Sequence, residues 1–135
     1  MAIQPRPEQL AAFAAGAPKQ GPLHMLNLLE FKAKAEYADG RDTELTGAEA
    51  YGIYGQGVIP LVEKLGGRPL YFGKANTLLI GDGDLEWDAV AIVEYPSLAA
   101  FQQMTQSAEY AEIHVHREAG LAHQQLIHCL AAPPA

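Results

Sequence analysis

Tyr110, His114 and Arg117 recur at helical spacing, so a single helix stripe would aim a phenol, an imidazole and a guanidinium into the same space. Such a set suits an anionic or carbonyl-bearing molecule. His114 is the natural general acid or base, because an unperturbed imidazole titrates near pH ~6.5. A second polar group, Asn27, stands among Met25, Leu29 and Phe31 on one face of an apolar segment. A buried Asn without partners costs roughly 1 to 3 kcal/mol, so something must bond it. Two readings stand side by side. Asn27 is either a structural residue tied to backbone or a tyrosine, or it faces His114 across a bound ligand and holds a carbonyl or enolate oxygen by its amide N–H. In the second reading Tyr51, Tyr54, Tyr110 and Arg117 supply walls and anchors.

Other chemistries are poorly served. Four of the five histidines, His114, His116, His123 and His128, lie in the last quarter of the chain. On a helix His114 and His116 point about 200° apart and cannot share an ion. Glu112 and His116 have the right spacing, but two ligands are too few, so no metal site is expected. Asp82, Asp84, Glu86 and Asp88 alternate like a calcium loop, yet Trp87 and Val93 stand where that loop needs Gly and Glu. Gly81 and Gly83 precede no helix, which rules out a dinucleotide fingerprint. The two serines, Ser97 and Ser107, sit where helix caps belong. Cys129 adjoins His128, and on a strand the two side chains point to opposite faces.

The chain has 135 residues, 49% hydrophobic and 19% charged, which suits one domain with one core. We expect that domain to span residues 1–135, with its core at 22–130, an accessory helix within 1–20, a loop excursion at 33–45 and a tail at 131–135. A net charge of −7 with scattered basic residues argues against nucleic acid and anionic membrane surfaces. One cysteine and no apolar leader or spanning run lead us to expect a cytoplasmic protein.

The elements that would position the candidates follow from periodicity. Residues 89–95, AVAIVEY, form a continuous apolar run and read as a central strand; Pro96 stops it and Ser97 caps a helix from Leu98. Ser107 caps a further turn. Pro7 to Gly16 reads as a short helix with Pro at its start and Gly at its end. LHMLNLLEFK is a strand apolar on both faces, while the polar segment after it reads as loop rather than core. Thr46 and Glu49 have capping-box spacing and open a helix striped with Tyr51, Tyr54, Val58 and Val62, with a kink expected around Gly57 ahead of Pro60. RPLYFGKANTLLIG predicts a long strand, with Gly73 as the place for a bend, that reverses through residues 81–86 into AVAIVEY as a hairpin. LAHQQLIHCL is the last strand.

The order is helix, then βαββαβ. This is an α+β fold of ferredoxin-like type, an antiparallel sheet with its helices on one face. Strands apolar on both sides would leave an exposed patch beyond the roughly 300 to 600 Å² of a typical monomer, so a homodimer packed sheet against sheet is expected.

Y-x-x-Y at Tyr51, IPLVEKLGGRPLYFG, VEYPSLAAF, SAEY and the HR before an alanine-rich bend together resemble the domain of unknown function family 1330. That family lies in the dimeric α/β-barrel superfamily, and the resemblance implies this fold and pairing. Phe101 to His114 also resembles a segment of the heme-degrading and antibiotic-biosynthesis monooxygenases, which carry an Asn on their first strand. Asn27 and His114 fall at matching places, and Met104 replaces the tryptophan of that pattern, joining the ligand-binding candidates. The resemblance implies a protein for a small carbonyl-bearing or aromatic molecule, working as a cofactor-free isomerase, cyclase or monooxygenase. Its alternatives are a non-catalytic ligand-binding or structural dimer and a heme-binding protein.

Overall fold

A computed structural model describes residues 2–131. Its order is α1 (Pro7–Gly16), β1 (Leu23–Phe31), α2 (Gly47–Lys64), β2 (Arg68–Lys74), β3 (Ala89–Tyr95), α3 (Leu98–Thr105), α4 (Ala108–Gly120) and β4 (Leu121–Cys129). The strands form one antiparallel sheet in the order β2-β3-β1-β4. The two doubly apolar strands are therefore the central ones, where both edges are paired and no residue has to offer its backbone to water. The ferredoxin-like α+β reading holds.

Local signals set the helix starts. Thr46 Oγ1 accepts from the Glu49 amide at 3.1 Å and Glu49 Oε1 accepts from the Thr46 amide at 2.8 Å. Ser97 and Ser107 cap α3 and α4 through the amides of Ala100 and Tyr110. The single turn expected after Ser107 is a helix of 13 residues. Helix α2 runs unbroken through Pro60 from Gly47 to Lys64.

Three expectations are corrected. The strand predicted over RPLYFGKANTLLIG ends at Lys74, and residues 75–88 form an irregular loop closed at its base by Ala75 N–H to the Asp88 carbonyl, 2.9 Å. Asp88 is committed elsewhere as well, donating to the Leu29 carbonyl and accepting from the Phe31 amide. The segment read as loop rather than core is a loop, but Ala35 and Tyr37 are buried against Ala50 and Ala119. Tyr37 reaches His116 Nδ1 at 2.7 Å, which gives its hydroxyl a partner inside. The last strand ends at Cys129, one residue early. Of the tail, residues 132–135 lie outside the described residues.

One sheet face packs under the helices, with Leu23, Met25 and Leu29 of β1 and Tyr95 of β3 buried there. The opposite face carries Leu26, Ile92 and Ile127 in one row across three strands, and none of the three is buried. Among the described residues no helix is long and apolar enough to cross a membrane.

Candidate functional site

The sequence candidates gather between the helices and the sheet. Tyr51 and Tyr54 come from α2, Tyr110, His114 and Arg117 from α4, and Asn27 from β1. Their rings form a continuous line: Phe31 to Tyr51, Tyr51 to Tyr54, Tyr54 to Tyr110 and Tyr110 to His114 have centroid separations of 5.4, 5.3, 6.0 and 5.4 Å. These are spacings of packed aromatic pairs. The Tyr54 and Tyr110 hydroxyls lie 3.0 Å apart and share a hydrogen bond. Burial raises the Tyr51 phenol to about 12 against the pull of nearby Arg117, and holds Tyr54 well above its usual range. Neither is a base at neutral pH.

Asn27 and His114 are joined by protein groups. Asn27 Oδ1 accepts from Gln124 Nε2 at 2.9 Å, and its amide nitrogen makes long 3.4 Å contacts with the Met25 and Ala91 carbonyls. Gln124 Oε1 in turn accepts from Arg117 Nη2, and Arg117 Nη1 lies 3.3 Å from His114 Nε2. Guanidinium nitrogens only donate, so the arrangement assigns the His114 lone pair to Nε2 and its hydrogen to Nδ1, which meets Glu118 at 2.9 Å. Burial, and then the Arg117 charge, push the imidazole below its ordinary value, while Glu118 opposes them. His114 rests as a neutral ring with both nitrogens engaged.

Gln124, only 8% exposed, is the member of this relay that the sequence did not single out. It lies opposite Leu29 in the sheet, two residues from Asn27 along β1, so its position depends on register. The N-terminal residues also enter the site: Arg117 donates to the Ile3 carbonyl, and the Gln124 amide donates to the Ala2 carbonyl at 2.9 Å.

A cleft of about 560 Å³ opens beside Tyr51, between α2 and the β2–β3 side of the sheet. Phe31, Tyr51 and Phe72 give it aromatic walls, and Lys32, Lys74 and Asp88 contribute charge. Phe72 is 62% exposed, as are its strand neighbours Leu70 at 43% and Tyr71 at 57%. Asn27, His114 and Arg117 do not line this cleft. Met104 is buried in the core beneath α3 and borders a separate cavity of about 100 Å³. Among the described residues no group of three metal-ligating side chains converges.

The residues do not fit a heme ligated by His114. Each ring nitrogen already faces a protein partner, and Met104 stands in the core where the resembling pattern has its tryptophan.

A solved structure of a protein of unknown function from Rhodopseudomonas palustris is similar to this chain at 41% identity, covering 98% of each chain with a TM-score of 0.86. A dabb family protein with a ferredoxin-like fold from Mesorhizobium loti shares the fold at 9% identity, covering 84% of this chain and all 100% of its own, TM-score 0.51. So does a cofactor-independent oxygenase from Streptomyces nogalater, at 11% identity, 85% and 99% coverage and a TM-score of 0.50. No curated protein matches the chain. The model of the domain of unknown function DUF1330 matches residues 40–128, and with the ferredoxin-like sheet and helices described above this chain belongs to that family.

Proposed function

We propose that the protein works as a homodimer whose protomers each bind a small molecule with an aromatic body and a carboxylate or carbonyl group in the cleft beside Tyr51. The cleft itself carries this reading: about 560 Å³ lies in the range of small-molecule sites, roughly 300 to 1,000 Å³, and it combines aromatic walls with two lysines. Stacking on Phe72 and Tyr51 would hold the ring system, and Lys32 and Lys74 would meet the anionic or carbonyl end. Pairing through the open sheet face is supported by the uncovered Leu26, Ile92 and Ile127 row.

Binding without turnover fits this geometry better than acid–base chemistry. Within the cleft the one phenol is held protonated, and His114 and Asn27 are occupied by Arg117 and Gln124. Isothermal titration with 2-naphthoate and with the neutral 2-naphthamide tests it. One site per protomer is expected, with Lys74→Glu weakening naphthoate about tenfold, ~1.4 kcal/mol, and sparing the amide. Absence of saturable binding by both compounds would overturn the reading. Hemin is expected to show no His114-dependent Soret shift; such a shift, lost in His114→Ala, would favour the heme-binding alternative.

A further inference from the structure

Arg117 is a partly buried cation whose partners are all neutral: the Ile3 carbonyl, the Gln124 side-chain carbonyl and a nitrogen of His114. Among the described residues it forms no salt bridge with a carboxylate, the nearest acid in the relay being Glu118 on the far nitrogen of His114. A partly desolvated guanidinium is best satisfied by a carboxylate or phosphate, so neutral carbonyls leave its strongest interaction unused. Ile3 belongs to the N-terminal segment ahead of α1. Its side chain packs against the cluster formed by Leu29, Tyr51, Ala89 and Leu121, while its carbonyl sits on Arg117. A branched aliphatic group in an apolar recess, joined to an oxygen on a guanidinium, has the outline of a small branched carboxylate.

We propose that residues 2–4 form a displaceable strap occupying a carboxylate site centred on Arg117, and that a small aliphatic carboxylate binds there by expelling Ile3. The Arg117 guanidinium supplies the oxygen-binding donors, and Tyr51 forms a wall shared with the cleft of the proposed function. The strap is held at its edges by few bonds: Ala2 carbonyl to the Gln124 amide and to His123 Nδ1, and Gln4 Nε2 to Glu118 at 2.9 Å. Because the ligand would replace the contacts of Ile3 itself, only these edge bonds are lost without return. The strap lowers apparent affinity by the fraction of time it is closed, so loosening it tightens binding.

The probe is 2-methylbutyrate, which has the isoleucine side chain attached to a carboxylate and is too small to need the cleft. Amide exchange of the full-length protein is followed by NMR with and without it. Ordinary binding protects nearby amides, whereas loss of Ala2 should make the Gln124 amide exchange faster in the bound state. In Ile3→Gly the dissociation constant is expected to fall about tenfold if the strap is closed some nine-tenths of the time. Arg117→Lys, which keeps the charge but loses the fork, is expected to weaken binding in that background. Unchanged or slower Gln124 exchange at saturation, or no binding by a folded Ile3→Gly protein, would overturn the strap. Failure of 2-naphthoate alone would sink the cleft reading and leave this one standing.

Discussion

Gln124 Nε2 donates to Asn27 Oδ1 at 2.9 Å, so a residue of the last strand satisfies the one amide that interrupts the apolar face of the first. Removing either partner leaves the other polar group orphaned. Asn27→Leu and Gln124→Leu should each cost about 1 to 3 kcal/mol, and the double substitution less than their sum. Urea unfolding of the four proteins measures it. Full additivity would show that the bond carries no coupling.

Tyr51 should make the protein sensitive to alkali. Its phenol titrates near 10.0 when unfolded and about 12 when folded, so the native state keeps a proton that the unfolded chain has lost. The stability it contributes is fully present below pH 10.0 and disappears as pH rises towards about 12. Tyr51→Phe should flatten this part of the stability–pH curve; an unchanged curve would contradict the burial of the hydroxyl.

The acid side has the opposite origin. Burial lowers both His114 and His116 from 6.5, helped by Arg117 for the first and Arg41 for the second. The unfolded chain therefore takes up protons first. Stability from these rings is present above pH 6.5 and is lost as pH falls through their folded values. His114→Gln should reduce the slope below neutrality, which thermal unfolding across a pH series would record.

Ile92 faces the open side of the sheet, paired with Leu26 in β1 and Tyr71 in β2. Ile92→Glu would place unpaired carboxylates in the proposed face-to-face dimer contact and should give a folded monomer by light scattering. A wild-type protein already monomeric at micromolar concentration would contradict the pairing.

The exposed apolar loop tests a different point. Leu79 and Ile80 are each 89% exposed, so Leu79→Ser with Ile80→Ser should change monomer stability by less than about 0.5 kcal/mol. A larger loss in urea would mean that these side chains are covered in solution.

What the sequence made legible was local. Thr46, Ser97 and Ser107 cap the helices they were expected to cap, and the two continuous apolar runs became the central strands. The β2 strand was overread because Leu78, Leu79 and Ile80 have the composition of a strand but no partner, since β3 begins only at Ala89. Gln124 was missed for a related reason. Its inward placement opposite Leu29 depends on pairing with β1. Contact between Ile3 and Arg117 spans almost the whole chain, and no spacing rule reports it. Tyr51, by contrast, was found from its helix stripe, and it is the sequence candidate that lines the large cleft.

Mapping 2-naphthoate onto the protein by amide chemical shifts tests the central claim most directly. Saturable shifts concentrated at Lys32, Tyr51, Gly52, Phe72 and Ala89 are the expected result, with Phe72→Ala weakening the interaction by about 1 to 3 kcal/mol. Shifts confined to the open sheet face, or none at millimolar ligand, would contradict it.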